Sequence, residues 1–219
     1  SADSYLTELA YATSQDGFNW TYQKVIQPDS HFQSYPYVFE WNGNYYMVPE
    51  CHKSKSIRIY RAFEWDFPER WEFYRTVVKG KDYVDPTIFR HDDKWWLIAS
   101  TTENSDLYLF YSDDLKGPWK EHSLSPIVKG DKSSARPAGG VIEYKGELYR
   151  FAQDCSRYYG EKVLAWKINK LTTTEYQEEF VGAVLDKGEG WNSRGMHTFD
   201  AHAIGEDKWI AAVDGYKIT

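Results

Sequence analysis

Two carboxyl groups facing one another can break a glycosidic bond, one held protonated as the acid and the other serving as base or nucleophile. Four carboxylates of this 219-residue sequence are candidates for such work: Glu50, Asp85, Asp154 and Asp200. Arg136 could bind an anionic group or lower the pKa of a neighbouring carboxylate. His52, Gln153, His197, His202 and Asp214 are the further candidates for holding a substrate. A bland reading stands beside each of them, since an Asp at the start of a strand often only bonds backbone amides in a turn. His52, His197 and His202 with Asp85, Asp154 and Asp200 could ligate a metal, but no compact ligand motif joins them. There is no Gly-rich phosphate loop and no nucleophile elbow for Ser-His-Asp chemistry. Neither a metal nor a cofactor is expected.

These residues gain meaning from the hairpins that carry them. Ser34 to Pro49 reads as a β-hairpin, with aromatic and β-branched strands around Asn42-Gly43, a strong signal for a type I′ turn. Three similar units follow. One starts at Asp85-Pro86 and turns at Asp92-Asp93, one starts at Arg136-Pro137 and turns at Lys145-Gly146, and one starts at His197 and turns near Glu206-Asp207. The turns recur roughly every 50 to 60 residues, the period of propeller blades. A second unit alternates with the first: a polar turn followed by an aromatic, at Trp20, Trp71, Trp119 and Tyr176. Each blade is therefore an inner hairpin followed by an outer one.

The expected fold is all-β: a single β-propeller domain over residues 1–219, built of four-stranded antiparallel blades. Blades one to three cover about 32 to 79, 83 to 128 and 134 to 185. The fourth inner hairpin, 197 to 216, lacks an outer half, and residues 5 to 27 supply an outer half without an inner one. Joining them gives four blades closed by the terminal strands; the alternative is an incomplete five-bladed propeller. In a propeller the first strand of each inner hairpin starts, and the second ends, at one rim. That places Glu50, Cys51 and His52 there from blade one, and Asp85, Thr101, Thr102 and Glu103 from blade two. Blade three gives Arg136, Gln153, Asp154 and Cys155, and blade four His197, Asp200, His202 and Asp214.

Composition narrows the function. The net charge of -7 argues against binding a nucleic acid backbone, which needs a basic stripe. No apolar run is long enough to span a membrane, and the first residues do not read as a signal peptide. The two cysteines, Cys51 and Cys155, have no metal-type spacing and are expected as free thiols, so the compartment stays open. Asn19-Trp20-Thr21 fits a glycosylation acceptor, a triplet common by chance. Aromatic residues make up 18% of the chain, with 10 Trp and 18 Tyr, and suit both strands and the packing of a ring against a pyranose face.

Inner strands opening in Asp-Pro, outer turns of the form S-x-D-G-x-x-W and aromatic hairpins resemble the five-bladed β-propeller glycosidases of families 43, 32, 68 and 130. The segments ATSQDGFNW, SYPYVFEWNGNYYMVPE, IRIYRA, WWLIAST, LYLFYSDDLKGPW, ARPAGG, YRFAQDC and MHTFD are more similar still to one propeller domain. It is the domain attached to plant glucosamine inositolphosphorylceramide transferases and present in their bacterial relatives. The glycosidase resemblance implies an Asp base near the start of the first inner strand and further acids on successive blades. Only Asp85 stands at a matching Asp-Pro position, and Glu50 is placed by position alone. The expected function is a carbohydrate-active, glycoside hydrolase-like propeller with a carboxylate acid/base pair at the channel mouth. The alternative is a non-catalytic carbohydrate-binding or scaffold module. The expected partner is a carbohydrate or glycoconjugate.

Overall fold

The computed structural model describes residues 7–26, 28, 30 and 32–217. Residues 5, 6 and 27 of the expected N-terminal hairpin lie outside the described residues. The chain forms two compact units, Ser1–Tyr83 and Val84–Thr219.

The first unit holds β1 (Ala10–Thr13) and β2 (Thr21–Val25), which pair with each other, and then β3 (Ser34–Trp41), β4 (Asn44–Glu50), β5 (Ser56–Phe63) and β6 (Glu72–Lys79) in one antiparallel sheet of that order. This sheet is the expected blade one. Its inner turn has φ of 50° at Asn42 and 70° at Gly43, the type I′ geometry that splays strands least. Met47, Tyr60, Ala62 and Trp71 form its buried face, and Leu9 of the N-terminal hairpin packs against them with the half-buried Ile26.

The second unit opens with β7 (Tyr83–His91), β8 (Lys94–Thr101), β9 (Tyr108–Ser112) and the two-residue β10 (Lys120–Glu121), the expected blade two. Blade three follows as β11 (Arg136–Pro137), β12 (Ile142–Tyr144), β13 (Glu147–Gln153), β14 (Val163–Leu171) and β15 (Tyr176–Leu185). Both β11 and β12 pair with β13, so they are two pieces of one inner strand, interrupted at residues 138–141. The inner turns repeat the first, with φ of 48° and 59° at Asp92 and Asp93 and of 53° and 77° at Lys145 and Gly146. β16 (Gly195–Gly205) and β17 (Lys208–Tyr216) complete the unit as a hairpin.

The interruption in the inner strand of blade three has a purpose in packing. The Phe199 N–H of β16 donates to the Ala138 carbonyl at 2.6 Å. A Cβ on Gly139, where φ is 139°, would lie 2.0 Å from the Phe199 carbonyl oxygen. Only glycine lets the two backbones approach this closely. Phe199 then stacks edge-on against Phe151 at 4.7 Å, joining the cluster of Ala138, Phe151, Val163 and Ala165. Blades two and three meet through Phe89, Trp96, Ile98, Leu107 and Leu109 on one side and Ala135, Leu148, Ile168 and Leu171 on the other.

The recurring outer turn also has a shared physical basis. The indole N–H of Trp20 donates to the Gly17 carbonyl, that of Trp71 to Pro68 and that of Trp119 to Leu115, at 3.1, 3.0 and 3.1 Å. Tyr176 has no indole N–H, and its hydroxyl instead donates to Glu178 at 2.5 Å.

Among the described residues β1 pairs with β2 in the first unit, and β16 with β17 in the second. Every residue of β2 is exposed.

A buried ion pair locks blade three across its width. Arg150 on β13 is fully buried, and its guanidinium donates twice to Glu178 on β15 at 2.5 Å and once to the Ser134 carbonyl at 2.8 Å. Burial alone would pull the Arg150 pKa down, but the bonds and charge of Glu178 together with Tyr176 outweigh it and hold the group charged. Removing one partner leaves the other charge buried alone, so Arg150→Met should cost about 3–5 kcal/mol of stability. The double variant with Glu178→Leu should recover much of that loss. Urea unfolding midpoints measure both, and equal losses in the single and double variants would contradict the account.

Candidate functional site

Asp85 is the third residue of β7 and precedes a proline, yet its φ is 47°. Tyr35, at the equivalent X-Pro step of β3, has the same φ of 47°. Left-handed backbone is costly for a residue with a Cβ and persists only where neighbours enforce it. Around Asp85 those neighbours are visible. Its Oδ2 accepts from Arg136 Nε and from Gln153 Nε2, both at 2.6 Å. Arg136 and Gln153 are themselves Cα partners where β11 meets the end of β13. One carboxylate oxygen of blade two therefore ties both rim strands of blade three.

Further partners fix the two donors. Arg136 Nη1 donates to Asn104 Oδ1 at 2.8 Å, and its guanidinium lies 4.9 Å from the centre of the Tyr159 ring. Gln153 Nε2 also donates to the Pro137 carbonyl at 2.8 Å, while its Oε1 is buried without a donor. Asn104 and Tyr159 were missed by the strand-end argument because both sit in loops. The sequence suggested a carboxylate neighbour for Arg136 without saying which, and the structure supplies Asp85.

Asp154 follows Gln153 and belongs to the same neighbourhood. The Cys155 thiol is pushed up by burial, with the Gly160 N–H and Arg136 pulling it down and Asp85 and Asp154 adding to the rise. Asp154 Oδ1 accepts from the Ser156 N–H at 3.0 Å and from its hydroxyl at 2.5 Å, which is the turn-capping role. Its Oδ2 lies 3.8 Å from Lys162 Nζ.

The candidates on the last hairpin divide into two places. His197 Nε2 lies 3.0 Å from Asp214 Oδ2 near the open end of the hairpin, and its Nδ1 is buried without a partner. This end grips the 156–161 loop: Gly160 packs on the His197 Cβ, the Tyr216 hydroxyl donates to the Tyr159 carbonyl, and Tyr159 lies 5.1 Å from the His197 ring. Tyr159 in turn covers Arg136. Asp200 stands mid-strand, where its Oδ1 accepts from the Gly140 N–H at 3.3 Å and its Oδ2 lies 3.0 Å from His202 Nε2. His202 pairs in register with Ile210, toward the turn of the hairpin.

In the first unit, Glu50 closes β4 with 5% exposure and lies 2.7 Å from His52 Nδ1. His52 begins a short 3-10 turn, His52–Ser54, and packs edge-on against Phe32 at 4.8 Å. Next to them Gln33 is fully buried, and neither polar atom of its amide has a partner. Among the described residues no group of three or more His, Cys, Asp or Glu has the arrangement of a metal site. No helix among them is long and apolar enough to cross a membrane.

Arg136 and Gln153 carry the kinds of polar group that hydroxyl-rich or anionic ligands use, and Asp85 holds both donors in place. Two measurable consequences follow. Cys51 and Cys155 are free and buried, and the Cys155 thiol is raised. Alkylation of the native protein at neutral pH should be at least tenfold slower than in denaturant, since burial limits access to both thiols and suppresses the thiolate of Cys155. Intact mass before and after labelling reads this directly. The bond to Asp200 raises the His202 pKa although partial burial opposes it. A raised folded-state value adds stability below the ordinary imidazole value of about 6.5, lost as pH rises through the raised value. His202→Gln should flatten the pH dependence of the melting temperature in that window; an unchanged slope would remove the pair from the account.

Comparisons with known proteins place this geometry. The family model described as glucosamine inositolphosphorylceramide transferase 1, N-terminal, matches residues 4–216. The chain is 35% identical over 223 residues to glucosamine inositolphosphorylceramide transferase 1 of Oryza sativa subsp. japonica, covering 96% of this chain and 30% of that protein. It thus spans about a third of the length of that relative. The β-1,2-mannobiose phosphorylase of Listeria innocua, solved with β-1,2-mannobiose, aligns over 92% of this chain and 62% of its own at a TM-score of 0.70 and 13% identity. The α-L-arabinanase of Cellvibrio cellulosa aligns over 92% of this chain and 79% of its own at 0.63 and 16%. At these identities the likeness establishes the fold, a β-propeller of the kind found in carbohydrate-active enzymes.

Proposed function

The chain belongs to the family of the N-terminal region of glucosamine inositolphosphorylceramide transferase 1, and on that premise we propose that it is a carbohydrate-binding propeller. Its ligand is the sugar-bearing, phosphate-linked headgroup of a glycoconjugate, held at the Asp85–Arg136–Gln153 cluster. The observation that carries the reading is the buried knot itself. Asp85 fixes the Arg136 guanidinium at 2.6 Å, and Gln153 keeps one buried acceptor, Oε1, without a donor. Native proteins rarely leave such an acceptor unpaired, and a hydroxyl is a donor that would meet it. An arginine fork suits phosphate or a vicinal pair of hydroxyls better than a lysine does. The family's name speaks of glucosamine and of an inositol-phosphoryl group, which fits that chemistry.

A second reading, hydrolysis by a carboxylate pair drawn from Glu50, Asp85, Asp154 and Asp200, is favoured by one observation. Asp85 combines 3% exposure with a φ of 47°, and strained backbone clusters at catalytic sites. Against it, Asp154 and Asp200 already serve backbone amides of Ser156 and Gly140.

A glycan array that includes glucosamine- and inositol phosphate-bearing structures separates the two. The binding reading expects capture of such glycans without release of free sugar. Arg136→Lys, which keeps the charge and loses the fork, should weaken capture about tenfold or more. Capture of no glycan, or capture unaffected by Arg136→Lys, would overturn it. Release of sugar from a captured glycan, abolished by Asp85→Asn, would establish the hydrolytic reading instead.

A further inference from the structure

The outer turn of blade one, between β5 and β6, carries aromatic surface that the core does not use. Trp65 is 78% exposed, and its indole lies parallel to the Phe63 ring, with centroids 4.7 Å apart and an interplanar angle of 5°. The Arg61 guanidinium sits 4.3 Å from the centre of the same Phe63 ring and is held by Glu72, with Nε donating to Oε1 at 3.1 Å. The turn that bears Trp65 is tightly hydrogen-bonded. Asp66 N and Phe67 N both donate to the Phe63 carbonyl at 2.9 and 3.0 Å, and Glu69 N and Arg70 N both donate to the Asp66 carbonyl at 2.7 and 3.0 Å. The indole is thus held against Phe63 on one face and open to solvent on the other.

These residues line one shallow cavity of about 160 Å³, bounded by Arg61, Phe63, Trp65, Asp66, Arg70 and Glu72. Arg61 and Glu72 neutralise each other. Asp66 and Arg70 do not: among the described residues neither side chain makes an ion pair or a hydrogen bond, although both face the cavity. The site therefore offers a flat apolar face, one separate acceptor and one separate donor.

We propose that this turn is a second carbohydrate site, for a neutral pyranose, built from residues other than those of the Asp85 cluster. The C–H face of the ring packs on the open face of Trp65. Asp66 accepts from one hydroxyl, and Arg70 donates to another. A hydroxyl both donates and accepts, so an acceptor and a donor held apart suit it. A phosphate or carboxylate would be repelled by Asp66, and a cation by Arg70. An aromatic ligand would satisfy Trp65 but leave both charged groups unused. The proposal stands on this turn alone and does not depend on the function assigned to the Asp85 cluster.

Saturation-transfer NMR on the full chain tests it, with the methyl glycosides of glucose, mannose and N-acetylglucosamine as probes. The expected result is transfer concentrated on the C–H protons of one face of the sugar ring. Trp65→Ala should weaken binding about tenfold, as loss of a stacked ring does. Asp66→Asn, which changes charge and hardly any volume, should weaken it about threefold, the scale of one hydrogen bond. Trp65→Phe should restore at least half of the signal, which separates loss of the stack from loss of fold. Absence of transfer to all three glycosides would overturn the proposal. So would equal binding by wild type, Trp65→Ala and Asp66→Asn, or a signal that inorganic phosphate displaces at Arg70 while Trp65→Ala leaves it intact.

Discussion

The ion pair between Arg136 and Asp85 is the constraint on which the second unit depends. Both side chains are nearly out of solvent, at 11% and 4% exposure, and a buried charge is tolerated only when it is paired and its remaining donors are used. Each further donor recruits another element. Arg136 Nη1 takes Asn104 from the loop after β8, and the guanidinium face takes Tyr159 from the loop after β13. Asp85 Oδ2 takes Gln153, which reaches back to the Pro137 carbonyl. The pair thereby fixes how the inner strands of blades two and three meet. It also explains why Asp85 keeps a left-handed backbone before a proline, since relaxing φ would swing the carboxylate away from both donors.

The hold extends outward by steric contact. Tyr159 is placed by Gly160, which rests on the His197 Cβ, and by the Tyr216 hydroxyl on its carbonyl. The last hairpin therefore reaches Arg136 indirectly, through the 156–161 loop. Its other attachment is the close passage of Phe199 over Gly139, where the inner strand of blade three is broken. The break that weakens one ladder creates the contact that seats the next hairpin, and the Gly140 N–H freed by it is taken by Asp200.

The blades were legible in the sequence because local chemistry dictates them. Asn42-Gly43, Asp92-Asp93 and Lys145-Gly146 adopt the positive φ that short hairpins need, and the strands around them are rich in aromatic and β-branched residues. The recurring Trp was legible as a marker, and its indole bond to a carbonyl three or four residues earlier gives the reason for the spacing. At the site, strand-end reasoning brought Asp85, Arg136, Gln153 and Asp154 together, because residues at paired strand ends must be neighbours. It could not find Asn104 or Tyr159, whose positions are set by loop geometry. Nor could it tell that Asp200 and His202 stand farther along β16, since a strand's start is not visible to within three residues.

The distribution of committed and uncommitted polar atoms bears on what such a site can do. A general acid or base must exchange a proton with substrate during turnover, so its oxygens cannot all be engaged in holding the backbone. Asp154 spends one oxygen on the Ser156 amide and hydroxyl, and Asp200 divides its two between Gly140 and His202. Disengaging either would loosen the turn or the strand it caps. Asp85 spends Oδ2 on two donors that are themselves fixed. Groups bound this way orient others well and transfer protons poorly. Among the described residues of the second unit, the buried side-chain atoms without a partner include Gln153 Oε1, the Tyr158 hydroxyl and His197 Nδ1. These commitments support the proposed binding reading over the hydrolytic one.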